Sequence, residues 1–485
     1  MIPFAGFAPD LPPEAPGIFL DCKNIIPSAS SFIAAPSAVD CGLGAIDSAA
    51  RGLSVTRNLD NTSLVFCGSS AKLYQQSSGV WDDVSKVGGY TLGPENRWRF
   101  TQFGNVTLAA AKSETIQFID DGGTAFADAS VTAPKADLIE TINNQVFVAN
   151  INGMGFGDDV TRWACSAIGD YADWTPDVDT GCVSGQLLDS PGPITGLKRL
   201  GNEIVMYKNK AIYIGQYVGG GQVWNIQRVP GEIGAASNEG VVNTGAAHFF
   251  VGPDDFYVFD GSRPTPMNSP CRQWFFTTAD SLYFYRMMGA FDRVNQRVYW
   301  WFASIGSNGV IDKCIVYNLK SNQWGRADST VECVAEYISS GVTYDQLGSL
   351  FSTYDDLTTT ISYDSPFWSS GSSVVAVFQT DHKCYQLSGV AGESRITTGH
   401  YGDNMSFSTL SRIKPRFIRQ PTSSTVNYSY SNEDATTFTP GSTSTFTNQW
   451  YDLLWSARWH KMEFVFNGTM AISGFDLILS QDGTE

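Results

Sequence analysis

Along much of this chain apolar and polar positions alternate with a period of two, the signature of half-buried β-strands. The pattern is clearest in residues 202–217 and 248–261. In the first, Ile204 and Met206, then Ile212 and Ile214, alternate with polar or amphipathic neighbours. Lys208-Asn209-Lys210 stands between the two runs as a short polar turn, which predicts an antiparallel hairpin. In the second, Gly252-Pro253-Asp254-Asp255 interrupts both helix and ladder, and Phe256 to Phe259 reads as the returning strand.

The same sequence of strand, turn and strand ending in an aromatic and then Asp or Gly recurs. It is found at residues 64–83, 103–120, 142–166, 298–324 and 374–387. The units are spaced by roughly 40–50 residues, the interval of four-stranded propeller blades. No strict motif repeats, so the pattern predicts an all-β chain built on a degenerate β-propeller and not a regular WD40 array. A stack of unrelated β-meanders is the alternative. The propeller is placed at residues 51–392. Residues 1–50 read as an extended N-terminal arm, because prolines at positions 3, 9, 12, 13 and 16 exclude helix and central strand. Phe4, Phe7, Leu11, Ile18 and Phe19 punctuate that arm, so it is expected to dock on its own body or on a neighbouring subunit. Residues 393–485 read as an additional C-terminal β-sandwich-like domain, with alternation strongest in 459–466 and 472–479.

Composition narrows the function. Of 485 residues, 13% are aromatic and only 16% charged, which suggests surface hidden against partners, as in an obligate oligomer. The net charge of −17 lacks the basic stripe of a nucleic-acid binder, yet suits a conduit to which DNA must not adhere. The nine cysteines include no C-x-x-C pair and are read as buried free thiols of a protein made in a reducing cytosol. No signal peptide and no run of 18 apolar residues is present, so no membrane span is expected.

Catalytic patterns are sparse. His248, His382, His400 and His460 form no H-x-H or H-E-x-x-H, and no nucleophile elbow or phosphate loop occurs. Gly219-Gly220-Gly221 lies between two strand patterns and reads as a hairpin loop. Asp345, Asp355, Asp356 and Asp364 sit in repeated Tyr-Asp segments. A calcium site is conceivable there, but the acidic order of an EF-hand is missing and a polar rim loop is preferred. Sialidase-type propellers carry Ser-x-Asp-x-Gly-x-x-Trp turns and clustered arginines. Residues 166–174 offer one loose copy with Asp and Gly reversed, and Arg263, Arg272, Arg286 and Arg293 are candidate arginines. A sialidase- or lectin-like propeller that binds or cleaves surface glycans is therefore the alternative function. The expectation is no catalytic, cofactor-binding or metal residues, no cofactor, and no enzyme.

Several segments carry a resemblance. They are Phe4-Ala-Gly-Phe-Ala-Pro-Asp10 with Pro16-Gly17 and Asn24-Ile-Ile-Pro27, residues 162–174, 193–198 and 255–261, the Tyr-Asp repeats near Tyr344 and Tyr354, residues 398–402, and Trp455 to His460 with residues 472–476. Together they resemble the tail hub or nozzle family of short-tailed bacteriophages, also described as packaged-DNA stabilisation proteins. The resemblance implies a structural virion protein that is assembled in the host cytoplasm and resides in the tail. It implies a homohexamer below the portal and its head–tail adaptor, closing the DNA channel and serving as the conduit for DNA ejection. A tail fibre or tail needle protein would dock beneath it, and double-stranded DNA would pass without specific binding.

Overall fold

A computed structural model describes residues 1–60, 62–77, 79–153, 158–338, 353, 373–433 and 435–483. The chain is almost wholly β, and each hairpin marked by period-two alternation forms. Glu203–Lys208 pairs antiparallel with Ala211–Gly219, and His248–Val251 with Phe256–Phe259. The glycine run closes a hairpin as a single turn of 3-10 helix, Gly220–Gln222, before Val223–Arg228.

These strands build the blades of a β-propeller. Six are separate four-stranded sheets. A further four-stranded unit, Met288–Asp292 to Gln323–Arg326, is one end of a ten-stranded sheet. The inner strands follow one another around a ring: Gly52–Arg57, Arg99–Phe103, Ala136–Ile142, Gly196–Leu200, Val242–Asn243, Met288–Asp292 and Cys333–Ile338. The last of them packs beside the first, which closes the circle. Adjacent blades bury an apolar cluster between them. Phe147, Trp163, Ile204 and Trp224 fill the space between the third and fourth blades, and Tyr207, Phe250 and Tyr257 that between the fourth and fifth. Burial of such side chains contributes about 1.5–3 kcal/mol each, so the ring is held by its inter-blade cores.

The first 45 residues tie the molecule together. Ser37–Ala45 is the outermost strand of the last blade, paired with Lys383–Gly389, so the segment before the first blade completes the last one. The hairpin of Ile25–Pro27 and Phe32–Ala34 bridges from Gln323–Arg326 to Ala471–Gly483, making one continuous sheet from propeller to C-terminal strands. Gly6–Phe7 and Ile18–Lys23 pair with each other in parallel, and Ile18–Lys23 then joins Glu393–Thr398 in the second C-terminal sheet. The turn that allows this needs glycine: Gly17 has φ +75°, and a Cβ there would lie 2.0 Å from the Pro3 carbonyl oxygen. Phe4, Phe7, Ile18 and Phe19 are buried, so they dock on the chain's own body. Asp10 pins the proline-rich loop by accepting from the Gln273 and Trp274 amides at the start of the short helix Arg272–Thr278, at 2.6 and 3.0 Å.

The C-terminal strands form two facing sheets. One contains Phe407–Arg419, Tyr451–Ala457 and Ala471–Gly483. The other contains Glu393–Thr398, Ser423–Ser431, Thr439–Thr445 and Trp459–Asn467. Their shared interior holds Ile396, Leu410, Val426, Met462, Phe464 and Phe475. The Tyr-Asp repeats with Tyr344, Tyr354, Asp345, Asp355, Asp356 and Asp364 lie outside the described residues.

Candidate functional site: the charged centre of the propeller

Inner strands of a propeller present alternate side chains to the central channel. Here that placement gathers charge in a chain that is otherwise poor in it. Arg51, Arg97, Arg99, Glu140, Lys198 and Glu239 line a cavity of about 260 Å³ at the ring's centre. Arg97 and Arg99 flank Trp98, whose indole donates to the Ser69 carbonyl at 2.9 Å and is buried between the first two blades. The buried tryptophan anchors the segment and turns the two arginines to the channel.

Arg99 is the hub. Its Nε donates to Glu239 Oε1 at 2.7 Å and its Nη2 to Oε2 at 3.2 Å, a two-pronged contact. Its Nη1 donates to the Asp137 carbonyl oxygen at 2.6 Å and to the Asp137 carboxylate. One guanidinium therefore joins the second blade, the third, and the loop that leads into the fifth. Burial opposes the Arg99 charge, but Asp137 and Glu239 outweigh it and hold its pKa above the ordinary value. Burial likewise opposes the Glu239 charge. Arg99 reverses that, with help from Arg97 and Lys198, and the carboxyl titrates at about 2.

The rest of the channel is less evenly matched. Burial raises the Glu140 pKa, and Lys198 offsets part of the rise. Among the described residues no carboxylate lies within ion-pair distance of Lys198, Arg97 or Arg51. Arg51 donates to the carbonyls of Leu92, at 3.1 Å, and Gly93. Burial, then the neighbouring Arg97 charge, lowers its pKa. These three cations can take a carboxylate or phosphate oxygen. The arrangement offers positioned charge.

The histidines are placed apart. His248 is buried, its Nδ1 2.8 Å from the Tyr207 hydroxyl and its Nε2 3.1 Å from the Arg199 carbonyl. His460 is buried in the C-terminal sandwich between Tyr428, at 2.7 Å, and Ser408, at 3.0 Å. His382 contacts Glu332 at 2.8 Å, and His400 lies against the Phe438 ring. Residues 166–174 form a tight turn in which the buried Trp174 donates to the Tyr171 carbonyl at 2.9 Å. Arg286 is tied to Glu95 and Arg293 to Glu336, separate carboxylates on separate elements. Arg272 starts the short helix, and Arg263 lies in the turn before Pro264–Pro266. Among the described residues no group of His, Cys, Asp and Glu is arranged to hold a metal ion. The nine cysteines are free thiols, eight buried and Cys41 half-exposed.

The Arg99 network was not singled out from the sequence. Its one visible signal is Arg97-Trp98-Arg99, two charges around a tryptophan at the head of the strand Arg99–Phe103. The partners lie 38 and 140 residues away, beyond any local pattern.

No known family model matches the chain, and no curated protein does. Solved structures that align with the chain are distant. BamB from Moraxella catarrhalis aligns at 10% identity and a TM-score of 0.38, over 75% of this chain and 92% of that one. The WD40 domain of Neurospora crassa Pan2 aligns at 9% and 0.40, over 75% and 97%. The computationally designed protein Ika8 aligns at 12% and 0.38, over 72% and 98%. The blade assignment rests on this chain's own strand pairing. No helix among the described residues is long and apolar enough to cross a membrane.

Proposed function

We propose that this chain is a structural, non-enzymatic subunit of a viral tail nozzle. In this reading about six copies ring the DNA channel below the portal and adaptor, retain the packaged genome and conduct it out. The observation that carries the reading is the distribution of acid. Residues 158–189, the outer part of the third blade, hold seven aspartates against one arginine. Asp158, Asp170, Asp177, Asp179 and Asp189 are exposed. A like-charged face of this kind repels phosphate and lets DNA slide past without sticking. The resemblance of the sequence segments supports the same assignment. So do large apolar side chains left in water, such as Leu282, Ile305 and Leu454, which suit contacts between copies.

The test is a gel-shift titration of the purified chain with double-stranded DNA at low salt. The expected result is no retention, and no change when the exposed aspartates are replaced by asparagine one at a time. Tight binding that weakens steeply with added salt would overturn the conduit reading.

A further inference from the structure

The propeller closes on a pair of thiols. Cys41 lies on the closing strand Ser37–Ala45, and Cys384 on its partner Lys383–Gly389. Their sulfurs stand 3.8 Å apart across the seam where the start of the chain completes the last blade. Both belong to the apolar cluster between the last blade and the first, which also holds Cys67 and Cys333. That cluster offers no metal-binding arrangement.

Two features suit this pair to covalent chemistry. Cys41 alone of the nine cysteines is half-exposed, so a small reagent can reach it, and Cys384 waits behind it, buried. The backbone is also irregular at this point. Lys383 faces Ala45 and Tyr385 faces Asp40, so the four residues Cys41 to Gly44 bulge opposite Cys384 alone. Gly42 and Gly44, with φ +73° and +77°, shape the bulge. A disulfide needs its sulfurs at about 2.05 Å. A bulged strand can supply the remaining movement by side-chain rotation and a small backbone shift. The hydrogen bond to Cys41, and then burial, raise the Cys384 pKa, so Cys384 reacts second, after the mixed disulfide at Cys41 has removed that hydrogen bond.

We propose that Cys41 and Cys384 form a redox clasp that locks the closing strand of the propeller when the protein meets a low-molecular-weight disulfide such as glutathione disulfide. The Cys41 thiolate attacks one sulfur of the reagent, forming a mixed disulfide and expelling one thiolate. The Cys384 sulfur then attacks the Cys41 sulfur, forming the protein disulfide and expelling the second thiolate. The two protein protons end on the two released thiols. The reagent is reduced and the cysteine pair oxidised. The bond encloses nearly the whole propeller, so it restricts the unfolded chain strongly. This inference does not depend on the tail assignment.

The experiment treats the native full chain with glutathione disulfide, quenches it with acid, and maps it by mass spectrometry without reduction. The expected product is a Cys41–Cys384 linked peptide, with an unfolding midpoint raised by several degrees that falls back on reduction. The C384S variant should stop with glutathione on Cys41, and C41S should stay unreacted. Glutathione persisting on Cys41 in the unsubstituted chain, a link to another cysteine, or no reaction of the folded protein would overturn the proposal. So would a correct link with an unchanged midpoint.

Discussion

Replacing Arg99 by methionine removes the one cation that both Asp137 and Glu239 contact. Two carboxylates would be left in the channel wall without their counter-charge. A fully buried pair broken in this way costs about 3–5 kcal/mol; these side chains are partly exposed and Glu239 keeps Arg97 and Lys198 nearby, so urea unfolding of R99M should show a smaller loss, about 1.5–3 kcal/mol. Acid should act in the same direction. Glu239 titrates at about 2 in the fold against an ordinary 4.5, so its contribution is whole above pH 4.5 and is lost as the pH falls toward 2. His248 and His460 are held neutral mainly by burial and titrate at about 4 against an ordinary 6.5. Between those values the unfolded chain binds more protons than the folded one. Their contribution is therefore complete above pH 6.5 and declines as the pH falls toward 4. Thermal midpoints should drop by several degrees between pH 7 and pH 4, and H460Q should flatten that slope. An unchanged slope would mean that His460 is not among the groups responsible.

At the scale of elements, the N-terminal strands behave as internal structure. Phe19 is fully buried and meets the rings of Phe4 and Phe32 edge-on, each at 4.8 Å. Phe19→Ala should cost about 3–5 kcal/mol, read as a shift of the urea midpoint. Deleting residues 1–20 should expose the sandwich core and promote aggregation, so that truncation reports on folding before it reports on assembly. The elements themselves were legible. Alternation around Lys208-Asn209-Lys210 and before Gly252-Pro253 marks hairpins because strand period and turn chemistry are local properties. The aromatic residues of the first 20 positions correctly announced that the proline-rich segment docks on something. What the sequence did not reveal is long-range pairing. Nothing local to residues 37–45 says that they complete a blade with residues 383–389, since that register is chosen by the closure of the ring. The Arg99 site was hidden for the same reason: its geometry exists once three separate parts of the ring are brought together.

At the scale of the whole molecule, two lobes share one sheet. The ten-stranded sheet runs from the blade beginning at Met288 through the N-terminal hairpin into the C-terminal strands. The two lobes are thus joined through backbone hydrogen bonds and packed side chains. This joining also makes the clasp at Cys41 a whole-molecule device, since the strand it would lock is continuous in sequence with the bridging hairpin. The proposed tail role stands on copies of this chain forming a ring. The most direct measurement is the absolute mass of the purified protein by light scattering across a concentration series, with negative-stain images of the same fractions. A ring of this kind gives particles of about six times the 52.8 kDa chain mass with a central hole. A single-chain mass at every concentration, with images of isolated particles, would contradict it.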